Sequence, residues 1–128
     1  MKKLSICSIL VLMGAIVYGV AARGQSASAR KADPVKVDPK HYKVEFENDR
    51  VRVLRITYGP GEKSVMHYHP DGVVVYLTDA NTRMTFPDGK THDYPGKSGQ
   101  AGWAASGAHL PQNIGDKKFE AILVELKK

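Results

Sequence analysis

The sequence predicts an all-β protein, and three features of its patterning lead to this prediction. Short segments from residue 42 onward alternate apolar and polar residues or carry β-branched runs, as strands do. Turn signals rich in Gly, Pro, Asn and Asp separate these segments. No window of the sequence shows the apolar stripe of an amphipathic helix. Many short strands at close spacing indicate a closed or double-sheet β architecture in a single domain.

The first 29 residues have the layout of a secretory signal peptide. Lys2 and Lys3 give a basic start, residues 4–22 carry no charge, and Ala27-Ser28-Ala29 fits the pattern that signal peptidase cuts. An uncleaved membrane anchor is the alternative, because the uncharged run is just long enough to span a bilayer. We expect cleavage after Ala29, and therefore a periplasmic or secreted protein that has no stable membrane association once it is cleaved.

The charge of the chain argues against nucleic-acid binding. The formal net charge is +6, but three of the 19 Lys and Arg residues lie in the leader, which holds no acid, so the mature charge is +3. The remaining basic residues are scattered among acids and form no stripe. The single cysteine, Cys7, also lies in the leader, so the domain must be stabilised by core burial without a disulfide.

The elements are predicted in order from the N-terminal side. Residues 30–40 hold two prolines and alternating charges, which predict a linker or extended arm ahead of a β domain at 41–128. The first strand is predicted at 42–47, with Tyr42, Val44 and Phe46 on its half-buried face. A β-branched strand follows at 50–58, and Gly59-Pro60-Gly61 ends it.

The second half of the domain is predicted from its turns. A short strand at 66–69 ends at the turn Pro70-Asp71-Gly72, and the apolar run 73–78 predicts a strand buried on both faces. Strands at 83–86 and 90–94 flank the hairpin signal Pro87-Asp88-Gly89. Further strands are predicted at 101–105, 109–113 and 119–126. The large apolar side chains expected in the core are Met66, Met84, Phe86 and Trp103.

Three of the five histidines are candidate metal ligands. His67 and His69 lie two apart in a predicted strand, so both imidazoles point to one face and can converge on one ion. His109 follows Gly107 in a second glycine-flanked strand. His41 and His92 stand singly beside charged or turn residues, and we expect both to be exposed.

These segments resemble the two motifs of the cupin family. The first motif, Gly followed after five residues by His-x-His, matches Gly61-Glu62-Lys63-Ser64-Val65-Met66-His67-Tyr68-His69. The second motif matches at Gly99, Gly107, His109 and Asn113. The resemblance extends from about Tyr42 to Lys128. Within the family, the sequence looks most like the small exported single-domain cupins of bacteria. It implies a β-barrel of jelly-roll topology whose histidines point inward, and it suggests a homodimer paired through the sheets.

The sequence also departs from the cupin pattern. The family's glutamate ligand should fall at position 73 or 74, and both residues are valine. The nearest acid, Asp71, lies in a turn and is expected to point outward. The sequence pattern does not place an acidic residue in the barrel. Asn81, Ala105 and the single residue between Gly107 and His109 are smaller departures, which affect loop geometry. The ligand set is therefore predicted to be three histidines without a carboxylate.

Several functions remain open on the sequence alone. The leading hypothesis is that His67, His69 and His109 bind one divalent transition metal, namely Zn, Fe, Ni or Cu, because imidazole suits these ions. One alternative is a non-catalytic cupin that binds a small ligand, or a decayed cupin that binds no metal. Another is a three-histidine oxygenase or isomerase that acts on a small polar substrate. Because three neutral histidines leave the charge of the ion uncompensated, an anionic, chelating substrate would suit this site. Tyr76 is a candidate pocket residue because it shares a face with Val74. Gln112 and Asn113 are expected to cap a loop rather than orient a ligand histidine. Metal affinity should fall as pH drops below about 6.5.

Overall fold

A computed structural model describes residues 32–128, and the predicted signal peptide lies outside this range. One four-residue helix, α1, and nine strands make up the regular structure of the described residues. Their bounds are α1 Pro34–Val37, β1 Tyr42–Glu47, β2 Val51–Tyr58, β3 His67–His69, β4 Gly72–Tyr76, β5 Ala80–Thr85, β6 Thr91–Gly96, β7 Ala101–Ala104, β8 Gly107–Asn113 and β9 Phe119–Leu126. Within this range, no helix has the length and apolar character needed to cross a membrane.

The strands form two antiparallel sheets that enclose one core. The five-stranded sheet has the order β1-β2-β9-β4-β7, and the four-stranded sheet has the order β3-β8-β5-β6. Neighbours such as β2 and β9 are distant in sequence, so the chain crosses between the sheets repeatedly, as a jelly roll does. The most buried apolar cluster is Tyr42, Leu54, Tyr58, Phe119 and Leu123. The predicted all-β fold is confirmed.

The sequence located every strand of the described residues within a few positions. Strands β1 and β9 have the predicted bounds, and alternation of apolar and polar residues marks β1 clearly. Pro87-Asp88-Gly89 closes the β5–β6 hairpin as predicted, and Gly89 has a positive φ of 82° that favours glycine. The largest differences are in β4, which ends two residues earlier than predicted, and β5, which begins three residues earlier.

The segment predicted as an extended arm is not extended between Pro34 and Val37. Asp33 caps α1 by accepting a hydrogen bond from the backbone N–H of Val35 at 3.0 Å, and Pro34 occupies the first turn, where a missing N–H costs nothing. Pro34 is buried and Val35 packs against the core. The backbone N–H of Tyr68 donates to the carbonyl of Ala32 at 2.9 Å. We call residues 32–41 the N-terminal arm; it is docked on the barrel next to β3.

Three residues that the sequence predicted to be buried are exposed, and all three lie on edge strands. Val44 and Phe46 on β1 are 43% and 54% exposed, although the strand pattern predicted both on the buried face. A bulge between Val44 and Phe46 moves Phe46 to the opposite face of the sheet. Trp103 is 63% exposed on β7, the other edge of the same sheet, so the prediction that it is a core residue is wrong.

Candidate metal centre

Strand pairing brings the three predicted histidines together. β3 and β8 pair so that His67 lies directly opposite His109, and directly paired residues point to the same face of a sheet. His69 lies two residues along β3 and therefore shares that face. One nitrogen from each of the three imidazoles lies within 4.8 Å of the others. The three side chains are thus close enough to bind a single metal ion.

Hydrogen bonds fix which nitrogens of His67 and His69 are free. His67 Nδ1 donates to the carbonyl oxygen of Val65 at 2.8 Å, and His69 Nδ1 donates to Glu125 Oε1 at 2.5 Å. Because a carbonyl and a carboxylate only accept, the proton of each neutral ring lies on Nδ1 and the lone pair on Nε2. This is the arrangement that metal-binding histidines require.

The spacing of these lone pairs fits a bound ion. The two Nε2 atoms face each other at 3.0 Å. Two nitrogens that each lie about 2.1 Å from one ion, at nearly a right angle, would be roughly 3 Å apart. His109 lies beside both residues: its ring centroid is 5.1 Å from that of His67 and 5.2 Å from that of His69. The residues present therefore fit a divalent transition metal without rearrangement of the His67–His69 pair.

Burial keeps two of the ligands neutral. Burial, helped by the neighbouring His69, lowers the pKa of His67 to about 4. Burial, helped by His69 and His67, lowers the pKa of His109 to about 3. An imidazole must be neutral to coordinate a metal, so near neutral pH both rings are in the binding form.

The structure places an acid in the barrel that the sequence analysis missed. Glu125 is 1% exposed, and its second oxygen accepts a hydrogen bond from Arg52 Nε at 2.6 Å. Burial raises the pKa of Glu125, but the hydrogen bonds from His69 and Arg52 outweigh burial, and the pKa lies below its ordinary value. The sequence pattern had not placed this acid in the barrel. Alternation along β9 was the available signal, because Glu125 has the same parity as the buried residues Phe119, Ala121 and Leu123.

The departure from the cupin glutamate is confirmed in the described residues. Val73 and Val74 lie on β4, and Val74 lines the interior where the family's acid is expected. Asp71 accepts a hydrogen bond from the backbone N–H of Ser106 at 2.7 Å and does not join the cluster. Glu125 contacts His69 from behind and is not one of the clustered ligands. The ligand set has three imidazole donors and a carboxylate behind one of them.

A cavity of about 110 Å³ adjoins the histidines. His69 and His109 form part of its wall, and the rest is mainly aromatic and aliphatic, including Tyr58, Met84 and Phe119. Tyr76, the predicted pocket residue, lines this cavity together with Thr82. A methyl group at Gly96 would lie 2.5 Å from the Tyr76 ring, so this glycine makes room for the tyrosine.

The other polar candidates have structural partners. His41 is 5% exposed, so the prediction that it is exposed is wrong. The arm folds it against the barrel, where it stacks on Tyr58 at 4.1 Å and hydrogen-bonds to Asp38 at 2.7 Å. His92 is exposed, as predicted. Asn113 caps loops as expected: its amide donates to the carbonyls of Gly59 and Lys117, and its oxygen accepts from the backbone N–H of Gly115.

Comparison with solved structures identifies the fold. A cupin domain from Bordetella pertussis Tohama I is 27% identical in sequence, has a TM-score of 0.63, and the match covers 68% of this chain and 92% of that one. An RmlC-like cupin family protein with a double-stranded β-helix fold from Methanocaldococcus jannaschii is 22% identical, with a TM-score of 0.52 and coverage of 70% and 83%. A cupin superfamily protein from Desulfitobacterium hafniense is 17% identical, with a TM-score of 0.51 and coverage of 68% and 76%.

No protein-family model and no curated protein matches the chain. The structural neighbours nevertheless confirm the resemblance to the cupin superfamily and its double-stranded β-helix fold. In this protein that fold carries a cluster of three histidines that are close enough to bind a metal.

Proposed function

We propose that this protein is an exported metal-binding cupin in which His67, His69 and His109 hold one divalent transition metal. One observation carries the proposal: two Nε2 lone pairs face each other at 3.0 Å, while both Nδ1 atoms already have acceptors. Two facing nitrogen lone pairs repel each other unless a metal ion or a shared proton lies between them, and three converging imidazoles favour the metal ion. Nitrogen ligands select Zn, Fe, Ni or Cu over Ca or Mg.

Thermal unfolding with and without metal tests this proposal. An ion that binds only the folded state stabilises it by mass action, so Zn²⁺ at a hundredfold excess over its Kd should raise the Tm by roughly 10–20 °C. His67→Ala and His109→Ala should lose this shift, whereas the exposed-site control His92→Ala should keep it. The proposal is wrong if Zn²⁺, Fe²⁺, Ni²⁺ and Cu²⁺ all leave the wild-type Tm unchanged.

The cavity supports a ligand with an apolar body. Its wall is mainly aromatic and aliphatic, which revises the expectation of a small polar substrate. Because His69 and His109 lie in that wall, an oxygen at one end of such a ligand would reach the ion while the apolar part fills the cavity. An engineered cavity of about 150 Å³ binds benzene, so a site of about 110 Å³ suits a molecule of similar or smaller size.

Metal-assisted catalysis is a second candidate, favoured by the same contact between cavity and histidines. Three protein ligands leave coordination positions for water or substrate, and a metal there can polarise a bound oxygen. The Tyr76 hydroxyl would then orient the ligand. Turnover is tested by comparing wild type with Tyr76→Phe on small carbonyl compounds. A Tyr76→Phe variant that binds metal normally but loses ligand affinity, with no turnover by either protein, favours the binding function.

Export is inferred from the leader alone. The basic start, the uncharged run and Ala27-Ser28-Ala29 support cleavage after Ala29 and a periplasmic or secreted location. N-terminal sequencing of the exported protein should begin at Arg30. Recovery of only the full-length chain from membranes would replace the signal peptide with an anchor.

A further inference from the structure

The N-terminal arm supplies a carboxylate to the hydrogen-bond chain behind each of the two histidines on β3. His69 is held from behind by Glu125, and Glu125 is held by Arg52. Arg52 Nη1 in turn donates to Asp33 Oδ2 at 2.9 Å. This series of hydrogen bonds runs from the arm through β2 and β9 to β3, and so it joins the two sheets.

A second series of hydrogen bonds starts from Asp38, near the other end of the arm. Ser64 donates its hydroxyl proton to Asp38 Oδ2, and its oxygen lies 3.3 Å from His67 Nδ1. Asp38 is 9% exposed, and it also accepts from His41 Nδ1 at 2.7 Å. Burying a carboxylate is unfavourable unless it is hydrogen-bonded, and here both of its partners belong to the same interior network.

The contacts of Asp33 and Asp38 show that the arm does more than shield the core of the barrel from solvent. An arm that only shielded the core would present apolar side chains, as Pro34 and Val35 do. Asp33 and Asp38 instead lie five positions apart, and each points into a network that ends on an Nδ1 atom. A proton held on Nδ1 leaves Nε2 as the donor to a metal, and partners of this kind typically change metal affinity 10- to 100-fold.

We propose that Asp33 and Asp38 are positioning residues of the metal centre, so that the docked arm sets its affinity. This inference rests on the proposed metal binding. Asp33 anchors Arg52 and so orients Glu125 toward His69. Asp38 orients Ser64 and so supports the Nδ1–H of His67.

Metal affinity in arm variants tests the proposal. Asp33→Asn keeps the helix cap but removes the charge that holds Arg52, and Asp38→Asn removes the charge that accepts hydrogen bonds from Ser64 and His41. Each should weaken Zn²⁺ binding about tenfold or more by competition with a chelating dye. Asp49→Asn, the same change at an exposed turn residue, should stay within about twofold of wild type. If Asp38→Asn fails to fold, Ser64→Ala interrupts the same chain. Wild-type affinity in all folded arm variants overturns the inference.

A second readout separates this inference from the metal proposal. In the metal-free protein, the Nδ1 protons of His67 and His69 should exchange slowly with water and give distinct downfield NMR resonances. Exchange of the His69 proton should accelerate about tenfold or more in Asp33→Asn, and that of His67 in Asp38→Asn, with Asp49→Asn unchanged. If wild type binds none of Zn²⁺, Fe²⁺, Ni²⁺ and Cu²⁺, the metal proposal fails while these exchange rates still decide the role of the arm. Equal rates in all variants contradict it.

Discussion

At the scale of single residues, the centre depends on His67 and His109 remaining neutral. An ordinary histidine takes up a proton near pH 6.5, and the sequence alone predicted that metal affinity falls below that value. Burial lowers the pKa of His67 to about 4 and that of His109 to about 3. For these two ligands, competition between protons and metal therefore begins at a lower pH than the sequence suggests.

The same two histidines predict acid sensitivity of the metal-free protein. Their pKa values are lower in the folded state than in the unfolded state, so between about pH 6.5 and pH 4 the unfolded chain binds more protons. Stability is therefore present near pH 7 and is lost as the pH falls through this window, by roughly 1–2 kcal/mol per histidine at pH 5. Urea unfolding with a chelator present measures the difference. His109→Gln should reduce the slope of stability against pH, and an unchanged slope would contradict the assignment.

Single residues also show what sequence patterns could not supply. The spacing of His67 and His69 on one strand predicted that they share a face, and the second motif added His109. His41 and Glu125 were missed because their burial depends on partners far along the chain. His41 is covered by the N-terminal arm, whose sequence has no strand pattern. The negative charge of Glu125 is compensated by Arg52, 73 positions away.

At the scale of the elements, alternation and turn residues predicted the strands but not their neighbours. Strands at an edge and in the middle of a sheet can share one pattern, so Phe46 and Trp103 were expected inside. Both lie on the edges of the order β1-β2-β9-β4-β7, which long-range pairing decides, and the bulge in β1 turns Phe46 to the outer face. The helix α1 was hidden by the prolines of the arm, although Asp33-Pro34 is a sequence signal for a helix start.

Because β4 and β9 approach each other closely at Gly72, we predict that a larger residue cannot replace this glycine without loss of stability. A methyl group there would lie 2.4 Å from the carbonyl oxygen of Val124 on β9, and backbone atoms cannot move aside easily. Gly72→Ala should cost about 2 kcal/mol or more of unfolding free energy by urea denaturation. The matched control Gly102→Ala on β7, whose methyl group would meet only Val74 Cγ1 at 3.9 Å, should change stability by less than about 0.5 kcal/mol. Equal effects of the two changes would show that β4 and β9 are not packed as described.

At the scale of the whole molecule, the outer face of the five-stranded sheet carries one apolar row that runs from edge to edge, beside charged residues such as Arg55 and Glu120. Strand register aligns Phe46, Val53, Val124, Val73 and Trp103 in a single row across β1, β2, β9, β4 and β7. By strand spacing and rise, this face covers roughly 600 Å², of the same order as the about 800 Å² that a standard interface buries on each partner. We propose that a second copy of the chain covers it.

This surface makes the homodimer testable. Light scattering after size-exclusion chromatography should give twice the chain mass for the wild type at high concentration. Trp103→Glu and Phe46→Glu place a charge in the apolar row and should shift the protein to monomer. Tyr94→Glu, at a residue 42% exposed on the other sheet, should leave the dimer intact. A monomeric wild type, or a dimer that tolerates both charges, would exclude this face as the interface.

The central claim is that His67, His69 and His109 together hold one divalent transition metal, and metal content tests it most directly. The protein should be purified from the exported fraction without chelators or a nickel column, and its metals measured by plasma mass spectrometry. We predict about one Zn, Fe, Ni or Cu ion per chain in the wild type, and almost none when all three histidines are replaced by alanine. A wild type that carries no more metal than the triple variant, even after reconstitution with each of the four ions, would contradict the account.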